Sequence, residues 1–433
     1  MKNLLRLVSF VVATLCLSAA QAAVNIEHWQ TSAGTNVYFV ENHDLPIMDL
    51  SVHFPAGAAR DTAEKSGLAD VTRYMMTLGA DGQNEEQITN AFADIGAVFG
   101  GDFDLDRAGF TLRTLSSEQA KALDVFKKVL HKPDFPAVIL EREKIRIISA
   151  LEEAATQPDS ISSKAFMQAL YGKHPYGLHE SGEIASVSAL QVGDLRAFYQ
   201  THYTAKSAVI ALIGDMTKAQ AQSIAESISA GLPQGAAVAK LAPVQMPAQA
   251  SIQSIPHPAS QAHIVVGQPG MKRGDPDYFP LYVGNYILGG GGFVSRLTEE
   301  VREKRGLVYS VYSYFMPMAE QGPFQIGLQT KKEQANDALK LVDETVATFI
   351  QKGVTEKELQ AAKSNIIGGF PMRIDSNKKI LDYLGVIGFY QLPLTYLDDF
   401  NKQVGAVTAK QIQDAFKRRV KPETFATVVV GAQ

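Results

Sequence analysis

Two small groups of polar side chains are spaced so that their members could act together. Arg302 and Tyr309 lie seven positions apart, and both can donate hydrogen bonds to an oxygen that gains negative charge during a reaction. Asp70, Arg73 and Tyr74 have i, i+3 and i+4 spacing, which places them on one face of a helix. The second group could form an ion pair between Asp70 and Arg73, whereas composition alone favours a surface arginine on a charged helix for Arg302.

The second group does not provide the ligands of a metal helix. Zinc helices commonly place two histidines at i and i+4, with a carboxylate between them as the base. Here Arg73 puts a permanent positive charge where a dication would bind, Tyr74 is a poor zinc ligand at neutral pH, and Asp70 cannot hold a metal alone. An ordinary solvated helix face is the alternative interpretation. Other histidines lack local partners or suitable spacing: His43, His53, His174, His179, His257 and His263.

Hydrophobic spacing predicts the elements that must position these groups. Residues 67–79 carry an apolar stripe at helical spacing, which predicts a helix. A run of four glycines precedes the charged segment that contains Arg302: Gly289, Gly290, Gly291 and Gly292. Because no Gly-Lys-Ser/Thr follows, a phosphate-binding loop is disfavoured and a flexible turn before a helix is expected.

The chain contains two halves that look like distant copies. Phe54-Pro55-Ala56-Gly57 corresponds to Gly267-Gln268-Pro269-Gly270 at an offset of 213. Residues 117–120 correspond to residues 332–335 at an offset of 215. Each half mixes strands and helices, which predicts an α+β fold with two homologous α/β-sandwich domains in tandem.

A change of composition marks the boundary between the halves. Residues 231–259 are rich in Ala, Pro and Gln, carry little charge and show no periodicity, as an extended linker does. This places the domains at 23–230 and 260–433. At 433 residues the chain exceeds the usual size of one hydrophobic core, which agrees with two domains.

Composition and charge also exclude some partners. The chain is 46% apolar and 20% charged, with a net charge of −4, as in ordinary soluble proteins. Because Lys and Arg are not clustered, binding to nucleic acid is not expected.

The first 22 residues have the pattern of a cleavable signal peptide. A basic start is followed by an apolar run over residues 7–17 and by Ala20-Gln21-Ala22, which predicts cleavage after Ala22. Cys16, the only cysteine, would be removed with it, which fits an oxidising compartment. The sequence therefore predicts a periplasmic or secreted protein, and an uncleaved membrane anchor is the alternative.

These motifs resemble the pitrilysin/insulinase family of zinc metallopeptidases, from Trp29 to Val430. Members carry His-x-x-Glu-His where this chain has residues 70–74, and their third ligand is a glutamate on a later helix, at the position of Ala150. The resemblance implies that every zinc ligand and the catalytic carboxylate have been replaced. The segment from the glycines to Tyr309 is retained, including the seven-residue spacing from Arg302.

The resemblance also implies an assembly. Small bacterial members often work as two-chain clamshells, in which one chain brings zinc and the other an Arg/Tyr pair that reaches the substrate. We therefore expect half of a clamshell: a zinc-free, non-catalytic subunit of a periplasmic heterodimeric metalloendopeptidase, inactive alone. Arg302 and Tyr309 would act in trans on unfolded peptide beside a zinc-bearing homologous partner, and this chain would bind no cofactor.

Two other functions are compatible with the sequence. The chain could be a structural or peptide-binding scaffold of the same fold, in which the Arg/Tyr pair is incidental. It could also be a peptidase on its own, but that activity requires a metal site that the sequence does not show.

Overall fold

The computed structural model describes residues 24–431, so the predicted signal peptide and Cys16 lie outside the described part of the chain. The strands within this range, in chain order, are β1 (Glu27–Gln30), β2 (Asn36–Glu41), β3 (Ile47–Phe54), β4 (Gly79–Ala80), β5 (Gln83–Asn84), β6 (Val98–Gly100), β7 (Ala108–Leu115), β8 (Val209–Gly214), β9 (Ser251–Ile255), β10 (Gln261–Pro269), β11 (Val308–Phe315), β12 (Pro323–Lys331) and β13 (Ala426–Val430).

The α-helices surround two sheets. In chain order they are α1 (Leu68–Met75), α2 (Glu85–Ala93), α3 (Gln119–His131), α4 (Ala137–Ala154), α5 (Pro158–Tyr171), α6 (Ile184–Ala189), α7 (Val192–His202), α8 (Lys218–Ala230), α9 (Tyr278–Asn285), α10 (Ala335–Lys352), α11 (Glu356–Gly369), α12 (Asn377–Phe389), α13 (Tyr396–Ala406) and α14 (Ala409–Arg419). None of the helices within residues 24–431 combines the length and apolar character needed to cross a membrane.

The two sheets have the same internal plan. The first has the order β1-β2-β8-β3-β7-β6 and the second β11-β12-β10-β13-β9. In each, one parallel pair (β2 with β8, β9 with β13) is followed by antiparallel strands towards the other edge. Strand β10 begins 214 residues after β3, and β12 begins 215 residues after β7, close to the motif offsets of 213 and 215. The prediction of two tandem α+β domains is therefore confirmed.

One strand lies inside the segment predicted to be the linker. Residues 233–250 contain neither helix nor strand, but β9 pairs in parallel with β13 at the edge of the second sheet. Its sequence, Ser-Ile-Gln-Ser-Ile, is largely exposed. An edge strand that buries so little surface gives a weak hydrophobic pattern, which explains why the sequence predicted only linker there.

One helix from each domain packs against the sheet of the other domain. Helix α5, from the first half, packs on β10 and β13, whereas α12, from the second half, packs on β2, β3 and β8. Leu381, Leu384 and Ile387 of α12 are buried in one cluster with Tyr38 and Val209 of the first sheet. Burying each aliphatic side chain contributes about 1.5–3 kcal/mol, so this exchange couples the domains through their cores.

A buried carboxylate joins the domains at a second place. Asp106 accepts hydrogen bonds from the Tyr176 hydroxyl (2.5 Å), the Tyr390 hydroxyl (2.8 Å) and the Ala319 amide (2.7 Å). Burial raises the pKa of Asp106, and these hydrogen bonds partly oppose that shift. Because Tyr390 and Ala319 belong to the second half, the contact holds the domains in one arrangement.

Candidate functional site

The glycine-rich segment lies against the edge strand β11. The Asn285 side chain, at the end of α9, donates to the Ser313 carbonyl (3.0 Å) and accepts from the Ser313 hydroxyl (2.7 Å). A Cβ atom on Gly289 would lie 2.4 Å from the Ser313 hydroxyl oxygen, so a side chain cannot be accommodated there. Gly292 has a φ of +62°, which favours glycine. The glycines therefore allow the chain to turn close to β11.

Arg302 follows in a π-helical turn, Thr298–Glu303. Its guanidinium carbon lies 4.9 Å from the ring centre of Phe293 and 5.9 Å from that of Tyr309, within the range of cation–π contact. Glu303 is the only carboxylate found near it among the described residues, at 3.7 Å. Gly306, with a φ of +62°, ends the turn and leads into β11. The guanidinium is thus held between aromatic rings with its donors available.

Tyr309 lies on β11 where the pairing with β12 is irregular, between Val308 and Ser310. Such bulges redirect a side chain relative to its neighbours. Tyr309 is 76% exposed. The structure brings the Arg302 guanidinium against the Tyr309 ring, and the role of the pair in substrate binding stays a prediction.

The same strand presents further aromatic side chains. Tyr312 and Tyr314 project from one face with stacked rings 6.0 Å apart, and both are exposed. Burial and the nearby Tyr312 raise the pKa of Tyr314 to about 12. Within residues 24–431, β11 is an edge strand with a strand partner on one side only, and of its backbone groups the Ser313 carbonyl accepts from Asn285. An edge of this kind can accept an extended peptide.

An ion pair anchors the segment that carries Arg302. Arg296 donates to both carboxylate oxygens of Glu358 (2.6 and 2.8 Å) and to the Gly353 carbonyl (2.9 Å). Its guanidinium also lies 5.0 Å from the ring centre of Phe349. The hydrogen bonds from Arg296 lower the pKa of Glu358 to about 2, although burial acts in the opposite direction.

The predicted degenerate metal helix is α1. Its apolar stripe is buried as the spacing predicts, through Leu68, Val71 and Met75. The Asp61 carboxylate accepts from the amides of Gly67 (2.7 Å) and Ala69 (2.9 Å), which fixes the start of the helix.

The predicted ion pair between Asp70 and Arg73 is wrong. The ion pairs found among the described residues, with nitrogen and oxygen within 4.0 Å, do not include this one. Arg73 extends instead towards Gly101, where a Cβ atom would lie 3.0 Å from its Nη1. Burial raises the pKa of Asp70, and the charges of Arg73 and Arg146 only partly oppose this shift. Spacing on a helix brings side chains near each other but does not fix their rotamers.

Arg146 is a residue of this site that the sequence analysis missed. Its guanidinium lies 5.0 Å from the ring centre of Tyr74, and its Nε donates to Glu143 (2.6 Å). Ala150, the position of the third ligand in the resemblance, lies one helical turn further along α4. The signal was available, because positions 146 and 150 share a helix face.

These residues do not fit a zinc ion. Asp70 is the only carboxylate among the four replaced positions, and the guanidinium groups of Arg73 and Arg146 both influence it. No group of three His, Cys, Asp or Glu side chains within residues 24–431 is arranged to hold a metal. No catalytic step that needs zinc can therefore be assigned to this chain's own side chains.

Two histidines have partners that the sequence analysis did not recognise. His43 lies between Glu41 (2.8 Å) and Asp215 (2.7 Å), and hydrogen bonds to these carboxylates raise its pKa. His53 contacts Asp102 at 3.1 Å. Glu41, two positions before His43, is a local partner that the sequence analysis overlooked, whereas Asp102 comes close to His53 only on folding.

Comparison with known proteins identifies the family. Residues 37–182 match the family described as "Insulinase (Peptidase family M16)", and residues 189–366 match "Peptidase M16 inactive domain". A solved peptidase M16 inactive domain from Pseudomonas fluorescens is 39% identical, with a TM-score of 0.90, over 94% of this chain and 98% of that one. The chain belongs to peptidase family M16.

Relatives within family M16 carry different descriptions. "Non-peptidase homolog YmxG" of Helicobacter pylori is 26% identical over 90% of this chain and 91% of that protein. "Uncharacterized zinc protease YmxG" of Bacillus subtilis is 23% identical over 94% and 98%. The match to the inactive domain and the residues around Asp70 together identify this chain as an inactive M16 peptidase-like protein.

Proposed function

We propose that this chain is the non-catalytic subunit of a heterodimeric M16 metalloendopeptidase in the bacterial periplasm. It supplies Arg302 and Tyr309 in trans to a zinc-bearing homologous subunit, which performs peptide hydrolysis. The observation that carries the proposal is an exposed Tyr309 beside a partly buried Arg302, in a chain whose own metal positions hold Asp70, Arg73, Tyr74 and Ala150.

The pair has the chemistry that this role requires. Hydrolysis of a peptide builds negative charge on the carbonyl oxygen, and preorganised donors stabilise that charge. Stacking between Phe293 and Tyr309 restricts the Arg302 guanidinium before substrate arrives. An ordered donor loses little conformational entropy on binding, so the arrangement favours the transition state.

The substrate is an unfolded peptide that adds to the free edge of β11. Main-chain hydrogen bonds at a sheet edge bind any extended sequence, whereas side chains along the strand supply selectivity. Tyr312 and Tyr314 line this edge and offer apolar and hydrogen-bonding surface. A folded protein cannot present an extended strand there without local unfolding.

The test uses Tyr309→Phe in a complex reconstituted with the zinc-bearing M16 chain of the same organism. Removing one such donor costs about 2.7–4 kcal/mol in other enzymes, so we expect peptide turnover to fall about 100- to 1,000-fold. Assembly, measured by size-exclusion chromatography, should be unchanged. Tyr38→Phe, which removes a hydroxyl from β2 of the first sheet and not from the peptide-binding edge, is the control and should retain turnover within a few-fold. Equal activity of Tyr309→Phe and the unmodified chain would remove Tyr309 from the mechanism.

Native mass spectrometry of the mature chain from its own host's periplasm tests the assembly itself. A complex with a second chain of similar size and one zinc supports the proposal. A zinc-free monomer or homodimer at every salt concentration contradicts it and favours a peptide-binding scaffold.

A further inference from the structure

A cavity of about 400 Å³ lies where the two domains and the linker meet. Ligand-binding cavities commonly have volumes of about 300–1,000 Å³, so a small molecule can be accommodated. Its walls come from the first domain, the segment 237–241 and the second domain, with Phe389 and Tyr390 as aromatic surfaces. It does not include Arg302 or Tyr309.

The cavity wall is strongly basic although the protein as a whole is acidic. Five cationic side chains line it: Arg60, Lys206, Lys240, Lys272 and Arg273. Two acidic residues, Asp106 and Glu320, also contribute, which leaves a surplus of three positive charges. Both Asp106 oxygens accept hydrogen bonds from Tyr176, Tyr390 and the Ala319 amide, so its charge acts on Arg60 from a distance but its oxygens do not bond the cavity's cations.

None of the five cations belongs to the ion pairs found among residues 24–431. Many other Lys and Arg side chains in this range do have carboxylate partners. Arg273 is packed over the Tyr390 ring at 5.3 Å, and its Nε is buried without a hydrogen-bond partner in the described part of the chain. Leaving a buried, charged donor unpaired is costly, so an anionic ligand near Arg273, which lines both this cavity and the neighbouring one beside Tyr278, would be stabilised.

Arg60, a second arginine of this wall, is hydrogen-bonded to neutral backbone carbonyls and not to a carboxylate in the described part of the chain. Its Nε donates to the Pro55 carbonyl (3.1 Å) and its Nη1 to the Ala239 carbonyl (2.7 Å). These bonds fix the guanidinium at the edge of the cavity without neutralising its charge. A rigid guanidinium with an unbalanced charge is suited to anionic oxygens.

We propose that this interdomain cavity binds a small phosphate-bearing anion. A surplus of three charges suits a ligand with two or more negative charges, which a phosphate group provides and a single carboxylate does not. Guanidinium groups supply directional donors to phosphate oxygens, and the exposed lysines add charge. Because the ligand would contact both domains and the linker, its binding stabilises their arrangement.

Isothermal titration calorimetry on the mature full-length chain at low ionic strength tests the proposal. The probes are pyrophosphate, glycerol 3-phosphate and citrate, each at matched ionic strength. Saturable binding of pyrophosphate alone identifies an inorganic anion, and binding of glycerol 3-phosphate identifies a phosphate monoester. Either result supports the site, whereas citrate binding at least as tightly as both phosphates overturns the assignment to phosphate.

The variant Lys206→Gln/Lys240→Gln removes two exposed cations, so its fold should be retained. We expect its affinity to fall at least about tenfold, since hydrogen bonds to charged groups carry that much free energy. Arg273→Gln should lose at least as much, with circular dichroism and thermal unfolding of the free variant as the check on folding.

The control is Lys121→Gln/Lys410→Gln, which makes the same change of net charge at exposed helix positions elsewhere. Its affinity should be unchanged. An equal loss in the control shows diffuse attraction rather than a site and overturns the proposal, as does unaltered affinity in Lys206→Gln/Lys240→Gln. The readout is independent of the peptidase complex, so this test can fail while the proposed function stands.

Discussion

At the scale of single residues, the Arg302/Tyr309 pair is in contact in the structure, whereas Asp70 and Arg73 do not form an ion pair. Arg302 and Tyr309 lie in contact because Gly306 turns the chain from a helical turn directly into β11. Asp70 and Arg73 remain unpaired although they share a helix face, because Arg73 extends towards Gly101. Local spacing predicts a contact when a single turn joins the two residues. It does not predict a contact when side chains from distant segments can occupy the same space.

The residues around α1 predict that zinc binding is not easily restored. The variant Asp70→His/Arg73→Glu/Tyr74→His should bind zinc only weakly, because Ala150 adds no third ligand and Arg146 keeps its charge beside position 74. Equilibrium dialysis with metal analysis measures this. Adding Arg146→Gln and Ala150→Glu gives the matched comparison, which should bind zinc much more tightly. Tight, stoichiometric zinc in the triple variant would show that Ala150 is not the third position.

At the scale of elements, the edge strand β11 and the turn before it form the unit that displays the Arg/Tyr pair. The sequence predicted the glycine turn and the helix after it, since glycines and charged helical residues leave local patterns. It did not predict the anchor between Arg296 and Glu358, which are far apart in the chain. Strand β9 was also missed, because its exposed residues follow no apolar alternation.

The Arg296–Glu358 ion pair predicts a pH-dependent contribution to stability. The pKa of Glu358, about 2, is below its ordinary value of 4.5, so the stabilisation is present above about pH 4.5 and is lost as pH falls towards 2. Arg296→Gln should therefore lower the free energy of unfolding by about 1 kcal/mol at neutral pH, and by progressively less below pH 4.5.

Urea denaturation of Arg296→Gln at several pH values measures this difference. Arg305→Gln is the control, because Arg305 belongs to none of the ion pairs found within residues 24–431, and its effect should be small at every pH. A destabilisation of Arg296→Gln that stays constant from pH 7 to pH 2 would contradict the assigned role of Glu358.

At the scale of the whole molecule, the exchange of α5 and α12 determines how the domains hold together. The repeat of motifs predicted two similar domains, but motif offsets do not say which sheet each helix covers. The close approach of α12 depends on glycine: a Cβ atom on Gly388 would lie 2.5 Å from a Val209 methyl and 2.6 Å from the Tyr38 ring.

Gly388→Ala should destabilise the protein by about 1–3 kcal/mol, as overpacking of a core does. The control is Gly368→Ala in α11, where no atom lies within 4 Å of the new methyl group. That variant should be neutral or more stable by up to about 1 kcal/mol, because alanine favours helix. Urea denaturation measures the free energy of unfolding of both variants. Equal values would show that α12 is not closely packed against the first sheet at Gly388.

The helix exchange also sets the order in which a nascent chain can mature. When residue 230 has been synthesised, Tyr38, Val209 and Ile213 still form an uncovered apolar surface, because α12 follows more than a hundred residues later. Helix α5 likewise cannot pack against β10 and β13 until those strands have been synthesised. We therefore expect the first half to expose this apolar surface until the second half has been synthesised. In the folded protein we expect two fragments cut within residues 233–250 to remain associated, because each sheet packs against a helix from the other half.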